Sequence, residues 1–136
     1  MRVQDAMTPL RTMVGPQHTL AQAARRMVSH GTGAAVVIDQ KLPGPQMITE
    51  RDLLRAVADG LDPEKEFVEK HMTQAVVSAA PGWPIDEAAM VMVKHGVRHV
   101  LVFDGSELVG VLSMRDVVGN GGLEPLARAV AAVGTD

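Results

Sequence analysis

Two four-residue patterns in this chain pair a hydroxyl with a carboxylate three residues on: Thr49-Glu50-Arg51-Asp52 and Ser113-Met114-Arg115-Asp116. In each, the hydroxyl residue closes an apolar stretch, and the acid falls in the first turn of a predicted helix. A carboxylate so placed accepts charge-assisted hydrogen bonds, which are stronger than neutral ones. The helix start beside it offers backbone N–H groups without intrahelical partners, and these favour anions. Asp52 and Asp116 also read as plain helix-N-terminal acids that stabilise the dipole. Arg51 and Arg115 read as surface cations or partners for those acids. A further basic pair, Arg98-His99, precedes an apolar run.

Other chemistries find no support. The chain has no Cys, which excludes a disulfide framework, a Cys zinc site and a thiol nucleophile. His95 and His99 have i, i+4 spacing, but Gly96 ends the helix between them, so no metal site is expected. Gly31-Thr32-Gly33-Ala34 superficially looks like a dinucleotide fingerprint, yet it follows a helix rather than a strand. There is no phosphate-cradling loop, no Gly-x-Ser-x-Gly elbow and no His-Glu-x-x-His helix. No nucleophile–base–orienter set emerges, so no catalysis and no catalytic residue are expected.

The elements that must position these residues occur twice. With a shift of 65, Met7-Thr8 falls on Met72-Thr73, Pro16 on Pro81, Ala23-Ala24 on Ala88-Ala89, and Met27-Val28 on Met92-Val93. His30-Gly31 falls on His95-Gly96, Val37 on Val102 and Asp39 on Asp104; after a one-residue slip, Arg51-Asp52 falls on Arg115-Asp116. Internal repetition at a fixed period signals duplicated supersecondary units. In each copy an apolar stripe (Leu20, Ala23, Ala24, Met27, Val28; Ile85, Ala88, Ala89, Met92, Val93) has helical spacing. Thr19 with Gln22 makes a capping box, Pro84 suits a first turn, and Gly31 and Gly96 suit left-handed stops. His30 and His95 stand at the helix C-termini, where a cation is favoured. Short strands follow at Ala34 to Ile38 and Val100 to Phe103, covered on both faces. After turns at Pro43-Gly44-Pro45 and Asp104-Gly105-Ser106 come strands Met47 to Thr49 and Leu108 to Ser113, then helices near Glu50 and Met114.

The expected boundaries are residues 1–61 for the first repeat, 62–67 for a charged linker, 68–120 for the second repeat and 121–136 for a C-terminal tail or helix. Gly119 to Gly122 reads as a flexible exit. Leu126, Val130 and Val133 form one stripe on a last helix suited to dimer or domain packing. Two copies of roughly 60 residues each lack an independently robust core. They are expected to pack with pseudo-two-fold symmetry, leaving a cleft between them. The fold class is α/β (α+β). With two Phe, one Trp and no Tyr, the core must be aliphatic, and the nine Met residues suit it. Trp83, between Gly82 and Pro84, is a candidate protein contact if exposed.

The order strand, helix, strand, strand, helix (β-α-β-β-α), carried twice by Val3–Thr8, Thr19–Gly31, Val36–Asp39 and Ile48–Leu53, then Val68–Thr73, Ile85–Gly96, Val97–Asp104 and Gly110–Val117, resembles the CBS domain pair, or Bateman module. The resemblance implies an adenosine-type ligand, AMP, ADP, ATP or S-adenosylmethionine, in the cleft between the repeats. It implies ribose recognition by Thr49, Asp52, Ser113 and Asp116, whose carboxylates can accept two hydrogen bonds from a cis-diol. It implies a phosphate role for Arg98 and His99, with adenine against Val14 or Val77. The first copy has uncharged Gly33 and Ala34 at the positions of Arg98 and His99, and Gln46 at that of Gly110. One good site and one poor one are therefore expected.

The function expected is regulatory: a stand-alone module that senses an adenosine ligand, with no catalytic cofactor, and signals through conformation or a homodimer to a downstream protein partner. The alternative is a structural protein-interaction module with degenerate ligand sites. A net charge of −3 and scarce aromatics argue against a nucleic-acid partner. No apolar run approaches the ~18 residues of a membrane helix, and Met1 to Asp5 lack a signal-peptide core. A cytoplasmic location without membrane attachment is expected.

Overall fold

The computed structural model describes residues 1–74, 77–121 and 123–133. It divides into two compact units, Arg11–Ala75 and Met1–Leu10 joined with Val76–Asp136. Each unit thus takes its leading segment from the other repeat's stretch of sequence.

In the first unit, β2 (Met13–Val14) leads through α2 (Leu20–His30) to β3 (Ala34–Val37), β4 (Gln46–Thr49) and α3 (Glu50–Ala58); a 3₁₀ turn (Val68–Lys70) then precedes β5 (Thr73–Gln74). The sheet order is β2-β3-β4-β5. β2 and β3 are parallel, as a strand–helix–strand crossover requires, and the other pairs are antiparallel. Helix α2 starts at the capping box: Thr19 N–H donates to Gln22 Oε1 at 2.8 Å, and Gln22 N–H donates to Thr19 Oγ1 at 3.2 Å. It stops at Gly31, whose φ of 65° is the left-handed conformation a side chain would strain. All four residues of β3 are buried, as a strand covered on both faces requires. The core joins Val14, Leu20, Ala23, Met27, Ala35, Val37, Ile48, Ala56 and Val68.

The other unit repeats the design around α4 (Ile85–His95), β6 (Ser78–Ala79), β7 (His99–Asp104), β8 (Glu107–Ser113) and α5 (Met114–Gly119), with sheet order β1-β8-β7-β6. Here α1 (Val3–Ala6) and β1 (Thr8–Pro9) supply the leading segment, and β1 runs antiparallel to β8. Pro9 is tolerated because β1 lies at the sheet edge. Val3, Ala6, Ala88, Ala89, Met92, Val100, Val102, Leu112 and Val117 are among the buried side chains of this core.

Several expectations are refined. The leading segment of each repeat is a helical turn followed by a two-residue strand, not one continuous strand, and β2 and β6 are additional short strands. The Asp62–Glu66 stretch is bound down: the backbone N–H groups of Leu20 and Ala21 donate to the carbonyls of Glu66 and Pro63, and Glu64 pairs with Arg25. Helix α6 (Leu123–Val133) packs on α4, but through Leu126 and Ala129, with Val130 57% exposed. The expected stripe was thus offset, and the side chain of Val133 lies outside the described residues. Arg128 of α6 reaches Asp86 of α4 at 2.9 Å. Gly122 of the expected exit lies outside the described residues as well. Trp83 is half-buried against the core, and its carbonyl accepts Val3 N–H, so it anchors the N-terminal segment instead of presenting a free ring.

Candidate functional site

Each unit carries one hydroxyl–carboxylate pair where a hairpin strand passes into a helix. In the Arg11–Ala75 unit, β4 ends at Thr49 and α3 begins at Glu50. Asp52 Oδ2 accepts from Thr49 N–H at 2.8 Å and from Thr49 Oγ1 at 3.0 Å. Thr49 Oγ1 in turn faces Asp52 N–H at 3.5 Å. In the second unit Asp116 Oδ2 accepts from Ser113 N–H at 2.9 Å, and Asp116 N–H donates to Ser113 Oγ at 2.9 Å. Both pairs are reciprocal capping boxes, which satisfy donors that a helix start leaves open.

A third member joins each pair. Thr73 Oγ1 donates to Asp52 Oδ1 at 3.2 Å. Thr8 Oγ1 lies 3.4 and 3.3 Å from the two oxygens of Asp116. Thr8 and Thr73 are the hydroxyl halves of the Met7-Thr8 and Met72-Thr73 match, the first coincidence in the repeat. The repeat therefore contained this signal, but nothing local to either threonine said which carboxylate it would meet.

The two carboxylates differ in availability. Asp52 is 8% exposed and takes three hydrogen bonds, whereas Asp116 is only partly buried and its bonds to Thr8 are long. A carboxylate has about four lone-pair positions, so Asp116 keeps the larger free capacity.

Arg98 and His99 are brought to the same place as Ser113 and Asp116. His99 stands opposite Ser113 in the β7–β8 register, and the carbonyl of Arg98 accepts Met114 N–H at 2.8 Å. The Arg98 side chain is exposed and His99 is half-buried. In the other unit Ala34 stands opposite Thr49, and Gly33 offers its carbonyl to Glu50 N–H at 2.9 Å. Val14 sits apart from the surface: it is 3% exposed, and its carbonyl accepts Ile38 N–H. Its equivalent in the second repeat is Ala79, not Val77. Val77 is partly buried against its own core, just ahead of β6.

Gly110 has a structural cause. A Cβ there would lie 2.8 Å from the carbonyl oxygen of Thr8 and 3.1 Å from Met7 Sδ. The close passage of β1 across β8 therefore demands glycine. At the equivalent position β4 meets β5 through Gln46, paired with Gln74, and a side chain is accommodated. Three histidines have internal roles: His30 Nδ1 is 2.7 Å from Thr12 Oγ1, His18 accepts Gly15 N–H at 2.7 Å, and His71 is 3.0 Å from Glu66. Among the described residues, no three His, Cys, Asp or Glu side chains converge, and no helix is long and apolar enough to cross a membrane.

Duplicated β–β–α hairpin units with a hydroxyl–carboxylate pair at each helix start define a class, and the CBS domain family matches residues 3–59 and 66–120. The chain belongs to that family, as a tandem pair. It is 34% identical over 120 residues to the CBS domain-containing protein YhcV of Bacillus subtilis, covering 87% of this chain and 84% of YhcV. It is 31% identical over 105 residues to the uncharacterized protein MK0525 of Methanopyrus kandleri, where the match takes in 76% of this chain but only 54% of the relative. Among solved structures it is similar to the CBS domain protein PAE2072 from Pyrobaculum aerophilum complexed with AMP, with a TM-score of 0.80 and 30% identity over 94% of this chain and 99% of that one.

Proposed function

We propose that this protein is a regulatory, non-catalytic module that binds an adenosine nucleotide at the site built from Arg98, His99, Ser113 and Asp116. The observation that carries the proposal is that an incompletely occupied carboxylate, Asp116, and the exposed residue Arg98, whose carbonyl accepts Met114 N–H, both stand at the start of one helix. The carboxylate suits the ribose diol and the guanidinium suits a phosphate. The AMP complex of PAE2072, at 30% identity, supports the ligand class. The equivalent place in the Arg11–Ala75 unit has Gly33 and Ala34 in place of the basic pair and a more fully engaged Asp52, which makes it the poorer nucleotide site. Occupancy acts on a downstream protein in the cytoplasm by favouring one arrangement of a homodimer, since a ligand shifts only an equilibrium whose states it binds unequally. Exposed Val28, Leu54 and Val57 on α2 and α3 offer apolar surface for such self-association.

A second reading is favoured by one observation: Asp52 and Asp116 both serve as capping-box acids, a role sufficient in itself. On that reading the chain is a structural interaction module with degenerate sites. Titration calorimetry with AMP, ADP, ATP and S-adenosylmethionine on ligand-stripped protein separates the two. A micromolar response to one of them supports the sensor. Silence toward all four from folded protein removes it in favour of the interaction module.

A further inference from the structure

The two repeats put different charges at one position. Arg98 and Gly33 are equivalent by register and by the hydrogen bond each carbonyl accepts, and so are Met114 and Glu50. One unit therefore presents a guanidinium and a thioether where the other presents no side chain and a carboxylate, a difference of two charges.

The glycine and the glutamate are coupled sterically. A Cβ on Gly33 would lie 3.0 Å from Cδ and Oε1 of Glu50 and 3.2 Å from its Oε2. The Glu50 carboxyl group thus rests over Gly33, in space that any other residue at that position would contest. The backbone of Gly33 does not itself demand glycine, since it is not among the residues of positive φ. Glu50 is exposed and enters no side-chain hydrogen bond or ion pair among the described residues, so its charge is not neutralised.

We infer that Glu50, seated over Gly33, is the specificity-determining residue that bars phosphate from the Arg11–Ala75 unit and leaves that unit's pair, Thr49 and Asp52, to an unphosphorylated adenosine nucleoside. The inference rests on the ribose role proposed above. A phosphate at this position meets Glu50 and Asp52 together, with no counterpart to Arg98. Like charges a few ångströms apart near a protein surface repel strongly enough to remove an affinity tenfold or more.

The test compares AMP with adenosine by titration calorimetry on the full chain. Wild type is expected to bind adenosine at two sites and AMP at one. With Asp116→Ala silencing the second unit, adenosine binding persists while AMP is at least about tenfold weaker. Adding Gly33→Arg with Glu50→Met then restores AMP binding, and Glu50→Gln alone, which keeps the shape and removes the charge, raises the AMP-to-adenosine affinity ratio by roughly tenfold. Circular dichroism checks that each variant is folded, and Glu50→Gln remains decisive should the double exchange fail to fold. Equal binding of AMP and adenosine by the Asp116→Ala protein overturns the inference, as does a ratio unmoved by Glu50→Gln. Failure of the wild type to bind either compound overturns the inference, and silence toward ADP, ATP and S-adenosylmethionine as well refutes the proposed function with it.

Discussion

Replacing Asp116 by alanine separates structural from binding work at the most exposed of the paired carboxylates. The structure sets the stability cost. The substitution removes the acceptor of Ser113 N–H at 2.9 Å and of the long bond from Thr8 at 3.3 Å. The first is a helix-start bond to a charged group and the second is weak, so together they contribute about 1–2 kcal/mol. For a chain of this size that lowers Tm by roughly 4–8 °C, well within the ~5–15 kcal/mol that keeps a domain folded. The binding cost is larger. A ribose diol on this carboxylate gains two charge-assisted bonds of roughly 1.5–3 kcal/mol each, so AMP affinity falls by at least about 100-fold. Thermal unfolding followed by circular dichroism reads the first quantity and calorimetry the second. Thr8→Val is the companion variant. It takes away only the competing hydroxyl, so β1 loosens slightly while AMP affinity holds or rises. An Asp116→Ala protein that loses the expected stability yet binds AMP unchanged would leave Asp116 as a cap alone and refute the ribose role.

The same structure fixes other outcomes. Gly110→Ala pushes a methyl group against the Thr8 carbonyl at 2.8 Å, a backbone atom that cannot step aside; it is expected to lower Tm by several degrees, while Gly44→Ala, with nothing within 4 Å, leaves Tm unchanged. Met92→Ala should cost about 2–5 kcal/mol in denaturant unfolding because the side chain is 0% exposed. By contrast Val28→Ala, 81% exposed on α2, should stay within about 0.5 kcal/mol. Because each unit borrows the other repeat's leading segment, a fragment of residues 11–75 should show more helix by circular dichroism than one of residues 1–61, which lacks Val68 (0% exposed) and β5. Equal helicity of the two fragments would show that the borrowed segment is dispensable.

What the sequence disclosed was whatever local physics decides. Of the expected stripe, Leu20, Ala23 and Met27 are buried, as are Ile85, Ala88, Ala89 and Met92 of its copy, whereas Val28 is 81% exposed. Thr19 caps α2 with Gln22, and Gly31 and Gly96 end their helices in the left-handed conformation. The helices near Glu50 and Met114 begin at those residues. Hidden were the pairings that depend on distant chain. The segment around Thr8 joins β8 across about a hundred residues, and no periodicity in seven residues announces such a partner. For the same reason the two threonines that meet Asp52 and Asp116 went without a role. The two-residue strands β2 and β6 are too short for a period-2 pattern to register. On α6 the packing falls to Ala129, a small residue that hydropathy does not single out, while the larger Val130 is exposed.

Comparison of the repeats within one chain shows which positions physics holds and which it releases. Val3 and Val68, Leu20 and Ile85, Ala23 and Ala88, Met27 and Met92, Val37 and Val102, and Ile48 and Leu112 are buried in both copies, because any change of volume there leaves a cavity or a clash. The caps of α3 and α5 agree for a similar reason, since a helix start without an acceptor leaves donors unsatisfied, whereas α4 begins at Pro84 with no side-chain cap where α2 has Thr19. The copies part at Gly33 and Arg98, Glu50 and Met114, Gln46 and Gly110. The first two pairs stand at the mouth of the hydroxyl–carboxylate site, where charge alters what can bind at little cost to the fold. The third answers to how closely a borrowed strand passes. Two units of one fold can therefore hold the same carboxylate in the same cap and still present opposite charge beside it, and on the function proposed above this difference, more than the fold, sets how many nucleotides one chain binds.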